Sequence, residues 1–261
     1  MKSEIVFDRS LVPGGGGAVL FRLQKLLEEA APEWSASLTT WSPRKQERRP
    51  IAGSGEAGDL AEVVGEAVRW AGRDRRSGSV EVRGATRELI LVVSVDDHPA
   101  KRMRAGEVRL DNSATLTAPA RRVAGRPRSE WMRAFFERAC AGTDPVWGAV
   151  YTRGEYYARV MADGGVHRAV GRDFGRYLPG LFPVNCFGEV YRELIGDRAL
   201  AEAGGVPAGT TRIVEVASEP DDWDAPAALE ARRRALAVLG AEHFFDKAAP
   251  EAPGRAPDWG V

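Results

Sequence analysis

Apolar residues recur along this chain at two periods, and the switches between them mark its elements. Ile5-Val6-Phe7 is a short apolar run broken by Val12-Pro-Gly-Gly-Gly-Gly17, which predicts a strand and then a loop. Val19, Leu20, Leu23, Leu26, Leu27 and Ala30 gather on one face at helical spacing, and Pro32 closes that helix. From Trp34 to Trp41 the period becomes two, that of a half-buried strand, and Arg44 to Arg49 reads as a polar turn or exposed strand. Leu60, Val63, Val64, Ala67, Val68 and Ala71 predict a second helix. Asp59, three residues before Glu62, forms its capping box, and Gly72 with the charged Arg73–Arg76 run stops it.

Ser79–Arg83 and Glu88–Val95 read as antiparallel strands, the second a central one because it is almost continuously apolar from Leu89 to Val93. Val108–Thr117, with Leu110, Ala114 and Leu116 among polar neighbours, reads as an edge. Ser129 is a candidate N-cap for a third helix that carries Trp131, Met132, Phe135, Phe136, Ala139 and Cys140. Pro145–Tyr151 predicts a strand, and Tyr156, Tyr157, Val160 and Met161 a short helix. Leu181–Phe187 is a turn-bounded apolar run that should be buried, and Val190, Tyr191, Leu194 and Ile195 form a helical face ending near Gly196. Thr210–Val216 alternates as a strand, and Asp224 with Pro226 opens a last helix through Leu229, Leu236 and Leu239. The Ala- and Pro-rich tail from Ala248 reads as extended.

Strands and helices are interleaved, but most connections are too short for parallel crossovers. The expectation is an α+β fold, a mostly antiparallel sheet with helices packed on it. A division into two subdomains stays open beside a single unit: an N-terminal α+β part over 1–118 and a C-terminal α+β part over 119–247, with 248–261 as the extended tail. No internal repeat supports the division.

Composition narrows the picture. Lys plus Arg number 37 and Asp plus Glu 37, so no net field draws the whole chain to nucleic acid or an anionic membrane. The 44% hydrophobic and 28% charged fractions are those of an ordinary globular chain, and no apolar run reaches the length of a bilayer span. The opening Met-Lys-Ser-Glu-Ile-Val-Phe-Asp lacks a signal-peptide pattern, so the expected location is cytoplasmic. High Ala, Arg and Gly with little Lys, Ile or Asn is the signature of a GC-rich bacterial genome. The neutral total is nonetheless uneven: Arg clusters at 73–76 and 121–128 stand against Asp221-Asp222-Trp223-Asp224 and Glu28-Glu29.

Candidate chemistry is sparse. Gly14–Gly17 precedes a helix but lacks the Lys-Ser/Thr of a P-loop and the spacing of a dinucleotide fingerprint. Asp96-Asp97-His98 has ligand atoms suited to a divalent ion, without a second ligand cluster. Cys186 beside Asn185 and downstream of His167 has the residue types of a Cys-His-Asn hydrolase, yet it sits inside an apolar run where a thiol is ordinarily inert. Cys140 and Cys186 are too few for a disulfide framework. His243, near the end of the last helix, suits a structural role beside the helix dipole. Trp131, Trp147, Tyr151, Tyr156, Tyr157, Phe174, Tyr177, Phe182 and Phe187 crowd together among Arg133, Arg153, Arg159, Arg172 and Arg176. These are core residues first, and types that also anchor protein interfaces.

One passage carries a family likeness. Gly171-Arg-Asp-Phe-Gly-Arg-Tyr-Leu-Pro-Gly-Leu-Phe-Pro-Val-Asn-Cys-Phe-Gly188, followed by Tyr191, Leu194-Ile195-Gly196 and Leu200, resembles a stretch of bacterial polymorphic-toxin immunity proteins, including type VI secretion immunity proteins. Asp144-Pro-Val-Trp-Gly148 and Leu239-Gly-Ala-Glu-His-Phe-Phe-Asp246 fit the same likeness, which covers about a third of the chain. The resemblance implies a non-enzymatic cytoplasmic protein, without cofactor or metal, that binds a cognate toxin and occludes its active site. It implies neither the contact residues nor the oligomeric state. The alternatives are an enzyme or small-molecule binder built on Asp96, Asp97 and His98 or on Cys186 with His167.

Overall fold

Five residues near the start of the chain, Lys2–Val6 (β1), hold the middle of an antiparallel sheet that runs the width of the molecule. The computed structural model describes the chain except residues 12–16, 36–38, 43–46, 51–59, 61–63, 65–77, 84–87, 99, 105 and 162–170. Among the described residues the other strands are β2 (Thr39–Ser42), β3 (Glu47–Pro50), β4 (Gly78–Arg83), β5 (Ile90–Val95), β6 (Lys101–Arg102), β7 (Val108–Arg109), β8 (Ser113–Thr117), β9 (Arg122–Val123), β10 (Arg126–Pro127), β11 (Trp147–Tyr151), β12 (Val184–Phe187), β13 (Val206–Ala208) and β14 (Thr211–Glu215). Ten of them form the main sheet in the order β13-β14-β12-β11-β1-β8-β5-β4-β2-β3, with every ladder antiparallel. β6 with β7 and β9 with β10 are separate two-stranded pairs. The fold is therefore α+β, as the short connections require.

The period-two alternation of each strand sorts its side chains onto two faces. The first face carries Ile5, Leu91, Val93, Ala114, Leu116, Val150, Val184 and Ile213, all buried. It is covered by α1 (Gly17–Ala30) and α3 (Arg128–Thr143), which bring down Leu20, Leu23, Leu27, Met132, Phe136 and Ala139. Leu60 and Val64, from the helix expected over 60–71, are helical and buried in the same layer, where the Leu60 amide donates to Gln24 Oε1. The rest of that helix lies outside the described residues. Gly148 in β11 marks the closest approach of α3 to the sheet: a Cβ there would stand 2.9 Å from the Phe136 ring and from the Glu4 carbonyl oxygen.

The second face forms a buried apolar core only on one side of β1. Val6, Trp147, Tyr151, Phe187 and Val214 point into a second core. It is closed by α4 (Arg153–Val160), α5 (Glu189–Ile195), α6 (Asp197–Glu202) and α7 (Pro226–Leu239), through Val160, Tyr191, Leu200 and Leu239. The tail begins with turns, in which the Ala249 amide donates to the Asp246 carbonyl and the Ala252 amide to the Ala249 carbonyl, and its end is docked. Trp259 Nε1 donates to the Phe174 carbonyl at 2.7 Å, and its ring meets Tyr191 edge-on. Arg102 donates to Val261 O at 2.7 Å, and Gly254 lies so close to the Arg176 carbonyl that a Cβ would be 2.1 Å away.

Several local expectations change. Trp34 lies in a short helix, α2 (Pro32–Ser35), rather than in a strand that begins at β2. The N-cap of α3 is Pro127, not Ser129, and no side chain caps it. Val108–Thr117 is not an edge: β8 is interior, between β1 and β5. Its polar positions belong to a strand with one uncovered face, a pattern that looks like an edge when only the sequence is read. β5 is interior as expected, but it is buried on one face alone, with Ile90, Val92 and Ser94 half-buried on the other. No helix among the described residues is long and apolar enough to cross a membrane.

One side chain locks the strand ends together. Asn112 is fully buried, and its Oδ1 accepts the amides of Leu11 and Asp96, each at 2.9 Å. Its Nδ2 donates to the His98 carbonyl at 3.1 Å, and its own carbonyl accepts the Phe7 amide. The chain leaving β1, the chain leaving β5 and the start of β8 are thus held at one point. Asn112→Ala strands two buried amides without water, so chemical denaturation should show a loss of about 2–4 kcal/mol. Ser79→Ala, on the exposed end of β4, should stay within about 0.5 kcal/mol of the parent.

Candidate functional site

Strand registers align the second face into rows that cross the sheet. One row reads Ser79, Ser94, Ser113, Val6, Trp147 and Phe187 across β4, β5, β8, β1, β11 and β12. The next reads Glu81, Val92, Thr115, Glu4 and Ala149. The first row changes from hydroxyl to apolar at β1, and the second, polar except for the half-buried Val92, changes just past it at Ala149. Where they are apolar the helices cover them, and where they are polar no helix among the described residues does. Burying bare hydroxyls and carboxylates under a helix would cost more than it returns, so the covering layer stops where the side chains change.

At that border lies a polar cleft of about 440 Å3. Ser79, Ser94, Ser113 and Thr115 form its floor, and Glu4, Arg172, Asp96, Lys101 and Asp111 frame it. Lys101 Nζ sits 2.5 Å from Asp96 Oδ2 and 2.6 Å from Asp111 Oδ2. Burial works against this ammonium, but its bonds to Asp111 and Asp96 prevail and raise its pKa above the ordinary lysine value. Arg172 Nη1 donates to Glu4 Oε1 at 2.7 Å, and the Tyr151 hydroxyl donates to Glu4 Oε2 at 2.8 Å. Burial opposes the Arg172 charge as well, and the Glu4 carboxylate more than offsets it. Burial and then Glu4 push the Tyr151 phenol well above its usual value, so it remains a donor.

A second buried polar group lies apart from the cleft. Glu155, in the first turn of α4, is fully buried. Its Oε1 accepts from Arg159 Nε at 2.9 Å, and its Oε2 has no hydrogen-bond partner among the described residues. Desolvation outweighs the attraction of Arg159 and Arg232 and raises the Glu155 pKa from 4.5 to about 7. Burial and the neighbouring Arg159 lower the Arg232 pKa to about 10.

The residues that sequence reasoning singled out are dispersed. Asp96 is buried and frames the cleft; its Oδ1 accepts the His98 amide and its Oδ2 holds Lys101. His98 is exposed, and Asp97 is half-buried. No three His, Cys, Asp or Glu side chains among the described residues come together as a metal-binding group. Cys186 is fully buried in β12 facing the first layer. Burial, and then Cys186 itself, push the Cys140 thiol in α3 far above the range of a nucleophile. His167 lies outside the described residues, as do Gly14–Gly16 and Arg73–Arg76. His243 is buried, with Nδ1 3.2 Å from the Arg255 carbonyl oxygen. Trp147, Tyr151, Phe174, Phe182 and Phe187 are core. In the second Arg cluster Arg128 pairs with Asp221, while Arg121, Arg122 and Arg126 are exposed on and beside the β9–β10 pair.

Sequence reasoning missed the serine row and the Glu4–Arg172 pair. The only local signal was the Ser113-x-Thr115-x-Thr117 alternation, which marks a face that wants water.

No protein-family model matches the chain, and no curated protein matches it. A solved structure does: the Pseudomonas aeruginosa T6SS protein PA0821 superposes with a TM-score of 0.50 at 11% identity, over 99% of this chain and 78% of that one. The likeness is one of fold.

Two measurements probe the buried charges. Arg172→Ala leaves Glu4 buried without its cation and should cost about 3–5 kcal/mol in denaturation, whereas Glu4→Leu with Arg172→Met should recover at least about 2 kcal/mol of that loss. The folded Glu155 carboxyl keeps its proton to about pH 7 and the unfolded one only to about 4.5. Its contribution to stability is therefore complete below pH 4.5 and gone once the pH has risen past 7. Relative to Glu155→Gln, the parent should lose roughly 3 kcal/mol between pH 4.5 and pH 8.

Proposed function

We propose that this chain is a non-enzymatic protein-binding protein of the bacterial cytoplasm, an immunity protein that neutralises a type VI secretion toxin by occluding its active site. The observation that carries the reading is the uncovered polar half of the second sheet face with its charged cleft. A broad surface of accessible polar groups, backed by a rigid sheet, is suited to docking a protein. The cleft is hydroxyl-lined rather than apolar, unlike the usual pocket for a small organic ligand. Two further supports are the fold shared with a T6SS protein and the Gly171–Gly188 stretch that resembles immunity proteins.

Co-expression tests this directly. A toxin encoded immediately beside the gene for this chain should lose its lethality when the two are produced together, and the purified pair should co-elute at micromolar concentration. Growth arrest that persists despite full expression of this chain, or a pair that does not associate, refutes the reading.

A further inference from the structure

We propose that the cleft is a receptor for one basic side chain, lysine or arginine, presented by the protein partner. This rests on the reading that the chain binds a protein, and it deepens that reading by naming what the cleft recognises.

The floor supplies acceptors. Ser79, Ser94 and Ser113 are direct cross-strand neighbours on β4, β5 and β8, with Thr115 one row along. Ser113 as a residue is only 8% exposed, and its hydroxyl, which lines the cleft, has no hydrogen-bond partner among the described residues. A hydroxyl that lines an open cleft without a partner from the protein is free to accept from a donor that arrives from outside.

The rim supplies the sign. Glu4, Asp96 and Asp111 outnumber Lys101 and Arg172, which leaves one carboxylate in excess. Both cations are already bound to carboxylates, so neither is free to hold an anion. Of the three acids, Asp111 is the open one: its side chain is 46% exposed, against 6% for Asp96 and 5% for Glu4. An incoming ammonium or guanidinium brings donors and no acceptor, which complements a floor of hydroxyl oxygens beside an accessible carboxylate. An apolar side chain would leave the hydroxyls dry, and an acidic one would meet the excess carboxylate.

The test uses short capped peptides, acetyl-Gly-X-Gly-amide with X as Arg, Lys, Ala or Glu, titrated into the full chain to about 20 mM while backbone amide shifts are followed by NMR. The Arg and Lys peptides should move the amides of Ser79, Ser94, Ser113 and Thr115 saturably, and the Ala and Glu peptides should not. Asp111→Asn should weaken the response about tenfold. Ser94→Ala, which removes a floor hydroxyl without changing the charge, should weaken it about threefold. An unchanged denaturation midpoint in Ser94→Ala keeps that comparison clear of misfolding. Equal shifts from all four peptides, no shift at those amides, or an undiminished response in both variants overturns the assignment. The toxin separates the two levels. If the basic peptides bind but the toxin does not associate, the assigned function fails and the cleft's preference stands. If the toxin binds Asp111→Asn as tightly as the parent, the function stands and the cleft assignment is overturned.

Discussion

The register of β1 fixes the rest of the sheet. Its five residues are hydrogen-bonded on one side to β8 and on the other to β11, strands that arrive from far along the chain. Because side chains alternate, a slip by one residue would drive Glu4 into the apolar layer under α1 and α3 and turn Ile5 away from it. Glu4 meets a cation and a phenol only on the second face, where Arg172 and Tyr151 wait. A buried ion pair of this kind adds little net stability but strongly penalises the wrong arrangement. Asn112 fixes the position where the chain leaves β1, and Glu4 fixes which way up the strand lies.

The covering layer follows from that register. Once Ile5 faces the helices, the rows across the sheet place serine and threonine together on β8 and β5, and tryptophan, phenylalanine and tyrosine together on β11 and β12. The aromatic half draws α4 to α7 and the docked tail onto itself, while the hydroxyl half stays with the solvent. The cleft is the step between the two, and its walls come from both sides: Arg172 from the aromatic half, Asp96, Lys101 and Asp111 from beyond β5.

Sequence periodicity was enough for α1, α3, the helices at 153–160 and 189–195, most strands and the aromatic core, because those signals sit within one or two turns of chain. The features that make the cleft are not local. Ser79, Ser94 and Ser113 come from three segments, and a single serine at each carries no signal until the register sets them side by side. Glu4 and Arg172 lie 168 residues apart along the chain. Asp96-Asp97-His98 drew attention for its ligand atoms, but the fold spends Asp96 on Lys101 and the His98 amide and leaves the imidazole outside. The Leu89–Val93 run suggested burial on both faces, because valine and isoleucine tolerate a half-exposed position that composition alone does not reveal.

The uncovered half-face has a consequence for how such a chain diversifies. Ser79, Ser94 and Thr115 pack against no helix among the described residues, so replacing them disturbs neither the first-layer core nor the aromatic one, and surface changes of this kind shift stability by only about 0.5 kcal/mol. The backbones of Ser94 and Thr115, by contrast, are fixed by ladders on both sides, and that of Ser79 by its ladder to β5. The molecule thus separates the residues that set its shape from those that can change without disturbing it. A lineage can rewrite the second group at little cost in stability while the sheet beneath keeps its geometry.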